Sequence, residues 1–200
     1  MANKLEGKRV AIIVTDGFEQ VEMTGPRDAL KKEGAETHLI APDKDSVKGW
    51  KHTEWGDAFD VDVVLSDADP GDYDALLLPG GVMSPDKLRV NEKVLEFVRA
   101  VYEEGKPVAA ICHGPWTLID AGVAEGRLMT SYHTIRTDLE NAGAEWVDRE
   151  VVVDQGLVTS RSPDDLEAFN RKMIEEFAEG RHEGRHEGRT AAAAAGAGAR

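Results

Sequence analysis

The chain has 200 residues, 41% hydrophobic and 31% charged, enough for one domain with a substantial core. Its net charge is -14, and the last 21 residues carry four Arg and two Glu, so the body before them carries -16. So acidic a body argues against direct nucleic-acid binding and against docking on an anionic membrane. A single cysteine, Cys112, permits no intrachain disulfide, which fits a reducing, cytoplasmic compartment. The stretch Met1 to Arg9 lacks the apolar core of a signal peptide. No apolar run approaches the roughly 20 residues that span a bilayer.

In chain order, Arg9 to Thr15 predicts a buried strand around Val-Ala-Ile-Ile-Val, followed by a turn at Asp16-Gly17. A helix follows from Glu19, broken or kinked at Pro26 and running on to Gly34. Glu36 to Ala41 predicts a second strand. Strand, helix, strand with apolar strands means a parallel sheet with right-handed crossovers. Pro42 to Gly56 reads as loop with short strands, and Ala58 to Leu65 as a further strand or an excursion. Ala75 to Leu78 is a buried strand ending in Pro79-Gly80-Gly81, and Ser84 to Glu104 predicts one long helix. Val108 to Ile111 is a wholly apolar run after Pro107, and Trp116 to Ala121 a short helix stopped by Gly122. Leu128 to Thr130, Trp146 to Val153 and Leu157 to Ser160 predict strands, with helices over Ile135 to Ala142 and Pro163 to Phe177. Residues 1–179 form the expected α/β domain. Residues 180–200, with the repeat Gly-Arg-His-Glu and then mostly Ala and Gly, form an expected disordered tail. His182 and His186 lie four apart there, but no other ligand types cluster with them, and neither metal nor cofactor is assigned.

The segment Cys112-His113-Gly114-Pro115 sits between the apolar strand and the short helix. A lone cysteine in apolar surroundings is most often an inert core residue. Here Gly114 permits a tight reversal and Pro115 suits a first helical turn, so the pattern is that of a nucleophile elbow with Cys in place of Ser. The positive end of the following helix would favour thiolate. In a parallel sheet, function collects beyond the carboxyl ends of the strands. That rim gathers Asp16-Gly17 and Glu22, Gly80-Gly81, Cys112-His113 and Ser131-Tyr132-His133. Gly80 and Gly81 can offer unobstructed N–H groups to an oxyanion, with the His113 N–H as second donor. A helical glutamate is usually solvated, but Glu19 and Glu22 lie three apart on one face near the same rim.

At these residues the sequence resembles the PfpI family of the ThiJ/PfpI superfamily, class I glutamine-amidotransferase-like proteins. The matching motifs include Phe18-Glu19-Gln20-Val21-Glu22, Leu78-Pro79-Gly80-Gly81, Ala110-Ile111-Cys112-His113-Gly114-Pro115, Thr130-Ser131-Tyr132 and Glu145-Trp146-Val147, within a span of about Lys8 to Glu179. The resemblance implies an α/β flavodoxin-like sandwich with a mostly parallel central sheet flanked by helices. It implies Cys112 as nucleophile, Glu22 as the acid that hydrogen-bonds the sulfur, and His113 as the adjacent histidine. In peptidase-type members an acidic residue of a neighbouring subunit orients that histidine. Asp86, in Pro85-Asp86-Lys87, is the nearest match, so the chain is expected to assemble with itself as a homodimer or hexamer. Gly114 and Trp116 are expected at the substrate site, Trp116 narrowing it. The leading expectation is a cysteine-dependent stress-response hydrolase acting on a small carbonyl substrate or a modified protein, as a deglycase or glyoxalase does. The alternatives are an intracellular cysteine peptidase, and a redox sensor or holdase chaperone built on the same cysteine.

Overall fold

The computed structural model describes residues 3–182. Its main strands are Arg9–Ile13 (β1), Glu36–Ala41 (β2), Ser46–Lys51 (β3), Glu54–Asp60 (β4), Val63–Val64 (β5), Ala75–Leu78 (β6) and Val108–Ile111 (β7). Leu128–Met129 (β8), Glu145–Trp146 (β9), Val151–Asp154 (β10) and Leu157–Ser160 (β11) complete the set. The helices are Gln20–Lys32 (α1), Met83–Leu88 (α2), Glu92–Glu103 (α3), Pro115–Asp120 (α4), Arg136–Asn141 (α5) and Leu166–Glu179 (α6). The central sheet has seven strands in the order β10-β11-β7-β6-β1-β2-β5. All its pairings are parallel except β10 with β11.

The apolar strands follow from burial on both faces. Along β1, Ala11 and Ile13 join one core, while Val10 and Ile12 join the other, as the two-residue period requires. The first core packs Val94, Phe97, Val98 and Val101 of α3 with Leu118 of α4 and Leu139 of α5. The second packs Met23 and Leu30 of α1 against Phe169, Met173 and Phe177 of α6. Each large apolar side chain buried this way contributes about 1.5–3 kcal/mol. Because β1, β6 and β7 are parallel neighbours, Val14, Pro79 and Cys112 follow them at one edge of the sheet. No helix among the described residues is long and apolar enough to cross a membrane.

The elements depart from the sequence reading at identifiable points. α1 runs unbroken through Pro26. Gly25 precedes the proline, so the usual clash between its ring and the preceding Cβ is missing. The expected helix Ser84 to Glu104 is instead two helices, because Asn91 caps α3 by accepting from the Val94 N–H at 3.3 Å. β3 and β4 form a full hairpin where loop with short strands was expected, a two-stranded sheet joined to the start of α1 by a single bridge from Trp50 to Glu19. The stretch Ala58 to Leu65 is divided between the end of β4, the two-residue β5 and a short 3-10 turn beginning at Leu65. Of the expected tail, Gly180 to His182 pack on the body, the His182 N–H donating to the Gly105 carbonyl at 2.8 Å. The remainder of the tail lies outside the described residues.

Candidate active site at the carboxyl edge of the sheet

Cys112 follows β7 at φ 62, a left-handed conformation uncommon for any residue but glycine. Such a backbone costs on the order of 1–3 kcal/mol and persists where its surroundings over-determine it. Here the Cys112 N–H donates to the Ser160 carbonyl at 3.0 Å and the Gly114 N–H to the Ile111 carbonyl at 2.8 Å. The Cys112 carbonyl accepts from the Tyr132 N–H at 2.9 Å. A Cβ on Gly114 would lie 2.5 Å from the Leu78 carbonyl, so only glycine allows the reversal. Cys112 thereby lines a cavity of about 660 Å³, together with Glu19, Glu22, Gly81, His113 and Tyr132.

Two N–H groups, of Gly81 and His113, point at the sulfur. Gly81 has φ 77, and a Cβ there would come 2.5 Å from the Glu19 nitrogen. Gly80 does different work. Its N–H donates to the Glu22 carboxyl at 3.0 Å, and a Cβ would meet Glu22 Oε2 at 2.5 Å and the Cys112 Cβ at 2.6 Å. The missing side chain at Gly80 therefore lets Glu22 and Cys112 approach, while its N–H is occupied and unavailable to an oxyanion.

Glu22 is fully buried, and burial raises its pKa to about 8, aided by the negative charge of Glu19. The Cys112 thiol and the N–H groups of Gly80 and Gly81 pull the other way without overcoming burial. Below that pH Glu22 is a neutral acid beside the sulfur. Burial, and then the Glu22 charge, also push the thiol up, against the N–H groups that favour thiolate. This opposes the expectation that the end of the following helix favours thiolate: α4 has only six residues, and its positive end does not offset desolvation of a cysteine that is 7% exposed. Glu22 and Cys112 act as a coupled pair that holds its protons past neutrality.

His113 Nδ1 lies 3.1 Å from the sulfur. Its ring stacks on Tyr132 with centroids 5.0 Å apart and meets the edge of Trp116. Burial lowers its pKa to about 4, with His133 adding to the effect and Asp138 opposing it. It is a neutral ring at pH 7, its Nε2 facing the Thr134 hydroxyl at 3.4 Å. Asp86 is exposed on α2 and is not among the residues lining this cavity. Trp116 turns away from the cavity: its Nε1 donates to Asp138 at 2.7 Å and the Arg89 guanidinium lies over its ring. It supports His113 from behind. Asp16, expected at the same edge, accepts from the Lys48 N–H at 2.9 Å and pairs with Lys44, which anchors the β3–β4 hairpin.

Sequence reasoning missed that hairpin's contribution. Trp50 and His52 line the cavity, and the His52 N–H donates to the Glu19 carboxylate. The hairpin is docked by Gly17 N–H to the Lys48 carbonyl at 2.8 Å and Trp50 N–H to the Phe18 carbonyl at 2.7 Å. Gln20 grips Asp57 in both directions, its amide donating at 2.7 Å and accepting at 2.8 Å. Ser162, Pro163 and Asp164 close another side. The available signal was Gly49-Trp50-Lys51-His52, an aromatic and an imidazole beside a glycine in a polar stretch.

A mostly parallel seven-stranded sheet flanked by helices, with a strained cysteine elbow at its carboxyl edge, defines a flavodoxin-like α/β class. The chain belongs to the DJ-1/PfpI family, whose profile matches residues 8–176. It is 46% identical over 167 residues to "Deglycase TK1284" of Thermococcus kodakarensis, covering 84% of this chain and 98% of that protein. It is 47% identical over 167 residues to "Putative cysteine protease YraA" of Bacillus subtilis, covering 84% of this chain and 96% of that one. Among solved structures, Drosophila melanogaster DJ-1beta superposes with a TM-score of 0.78 at 29% identity, over 86% of this chain and 90% of the other.

Proposed function

We propose that this protein is a cysteine-dependent deglycase of the PfpI type, acting on dicarbonyls or their early adducts with amines and thiols. The observation that carries the reading is the convergence of the Gly81 and His113 N–H groups on the Cys112 sulfur, beside a buried Glu22 that is neutral at pH 7. In the first step the sulfur bonds to the substrate carbonyl carbon and the π electron pair moves to the oxygen. The two N–H groups stabilise that oxygen. Glu22, protonated at the start, gives its carboxyl proton to the departing amine and takes the thiol proton in exchange, so it ends the step protonated as it began. Water then cleaves the carbon–sulfur bond and restores the thiol. The names of relatives such as the Thermococcus deglycase support the same reading.

A peptidase reading is favoured by one observation, the 3.1 Å approach of His113 Nδ1 to the sulfur. Within the described residues of one chain, however, a threonine hydroxyl rather than a carboxylate faces the other ring nitrogen. The peptidase needs an acid such as Asp86 delivered by a second copy of the chain. The deciding experiment incubates the pure, reduced protein with methylglyoxal-modified N-acetyl-lysine and, separately, with a denatured protein. Release of free amine that disappears in Cys112→Ser supports the deglycase. Cleavage of the denatured protein without amine release would replace it with the peptidase.

A further inference from the structure

At the end of the sheet opposite Cys112, the chain builds a second cluster of ligand-type side chains. α6 ends with Glu176 and Glu179, three apart and so on one helix face. Gly180, at φ 84, turns the chain back across that face. The His182 N–H donates to the Gly105 carbonyl at 2.8 Å, in the turn between α3 and β7. A Cβ on Gly105 would come 2.9 Å from the His182 carbonyl oxygen, so the glycine is what lets the two backbones meet. Arg181 reaches sideways to Glu104 at 3.2 Å. His182 is thus held through its backbone N–H, and its ring is set against the Glu176 carboxylate.

One ligand atom from each of Glu176, Glu179 and His182 lies within 4.8 Å of the others. His182 Nε2 is 3.3 Å from Glu176 Oε2, yet it is buried with no hydrogen-bond partner. Metal–ligand bonds of about 2.0–2.2 Å in a tetrahedral site put neighbouring ligand atoms roughly 3.3 Å apart. The Glu176–His182 pair already has that spacing. Glu179 is exposed and can complete the set by a change of rotamer. Glu176 also accepts from the Gly156 N–H, which orients its carboxyl. Nearby cations are engaged elsewhere: Lys172 with Glu175, Lys8 with Asp74, and Arg181 with Glu104.

We propose that Glu176, Glu179 and His182 form a site for a divalent cation of the zinc type, which ties the end of α6 to the turn before β7. Two carboxylates and one imidazole suit zinc or a similar borderline metal better than calcium or magnesium, which prefer oxygen alone. The site is structural. It lies at the far end of the strand that carries Cys112, so loading it stabilises the fold without entering the chemistry.

The test titrates zinc chloride into the full-length Cys112→Ser protein, so that the thiol cannot compete, with calorimetry and a thermal melt as readouts. One equivalent is expected to bind, with a melting temperature that rises with zinc concentration. Glu179→Gln, an exposed change that leaves the core intact, and His182→Gln are each expected to weaken binding at least tenfold. His186→Gln controls for chelation by the repeated tail sequence. A loss in His186→Gln on top of those two would add a fourth ligand to the site. Absence of binding at micromolar zinc would overturn the assignment. So would binding that His186→Gln weakens and Glu179→Gln leaves unchanged, since the tail alone would then hold the metal.

Discussion

The elbow at Cys112 and the β3–β4 hairpin face each other across one cavity, and they are built on opposite principles. The elbow is buried, strained and closed by backbone bonds to Ser160, Ile111 and Tyr132. It tolerates almost no change in shape, because Gly80, Gly81 and Gly114 each sit where a Cβ would strike a neighbouring atom. The hairpin is largely exposed, forms its own two-stranded sheet, and is fastened to the rest by a few contacts from Gly17, Phe18, Glu19 and Gln20. Rigidity is placed where a reacting atom must be held to a fraction of an ångström, and adaptability where substrates differ. Chemistry should therefore fail on the elbow side, and selectivity should shift on the hairpin side.

The largest effect is expected from Cys112→Ser. Turnover should fall by about 10³-fold or more, since the nucleophile is gone while the N–H groups remain. The melting temperature should change little. Retained turnover, measured with the amine-release assay, would remove the thiol from the mechanism.

Glu22→Gln should cost about 10²–10⁴ in kcat, the range for a lost general acid. Its amide can still accept from Gly80, so the fold should hold. The same variant has a pH signature. The Glu22 pKa is raised from 4.5 to about 8, so between those values the unfolded chain releases a proton that the folded chain keeps. Wild-type stability contributed by this group is thus full below pH 4.5 and falls as pH rises toward about 8. Glu22→Gln lacks this loss, and its melting temperature relative to wild type should rise from pH 5 to pH 8. A difference that stays flat across that window would mean that Glu22 is already ionised in the fold.

Gly81→Ala should lower kcat by roughly 10²-fold, the cost of a displaced oxyanion donor. Strain at φ 77 adds roughly 1–3 kcal/mol of destabilisation, several degrees in the melt. Should Gly81→Ala keep full turnover, the Gly81 N–H would not be holding the oxygen.

The smallest effect is expected on the hairpin. His52→Ala keeps the backbone bond to Glu19 but removes the ring from the cavity wall. One lost polar contact is worth about 1 kcal/mol, roughly fivefold in KM, with kcat preserved. A fall in kcat with KM unchanged would place His52 in the chemistry and break the division between the two walls.

The sequence by itself determined the parallel sheet, because strands such as Ala75–Leu78 and Val108–Ile111 are apolar throughout and can only be buried on both faces. It also located the cysteine turn and the paired glycines, since local backbone demands at Gly114 and Gly81 leave a local signature. Three things were decided only by tertiary structure. Asn91 ended one helix and began another because its side chain found the Val94 N–H, a choice that periodicity could not see. Trp50 and His52 reached the cavity because the hairpin folds over the start of α1, a contact between segments about thirty residues apart. The protonation of the centre depends on burial: a helix N-terminus read from sequence predicts a thiolate, whereas the closed packing around Cys112 and Glu22 removes the water that would stabilise either charge. Local geometry is written in neighbouring residues, but the dielectric around a group is set by every segment that packs against it.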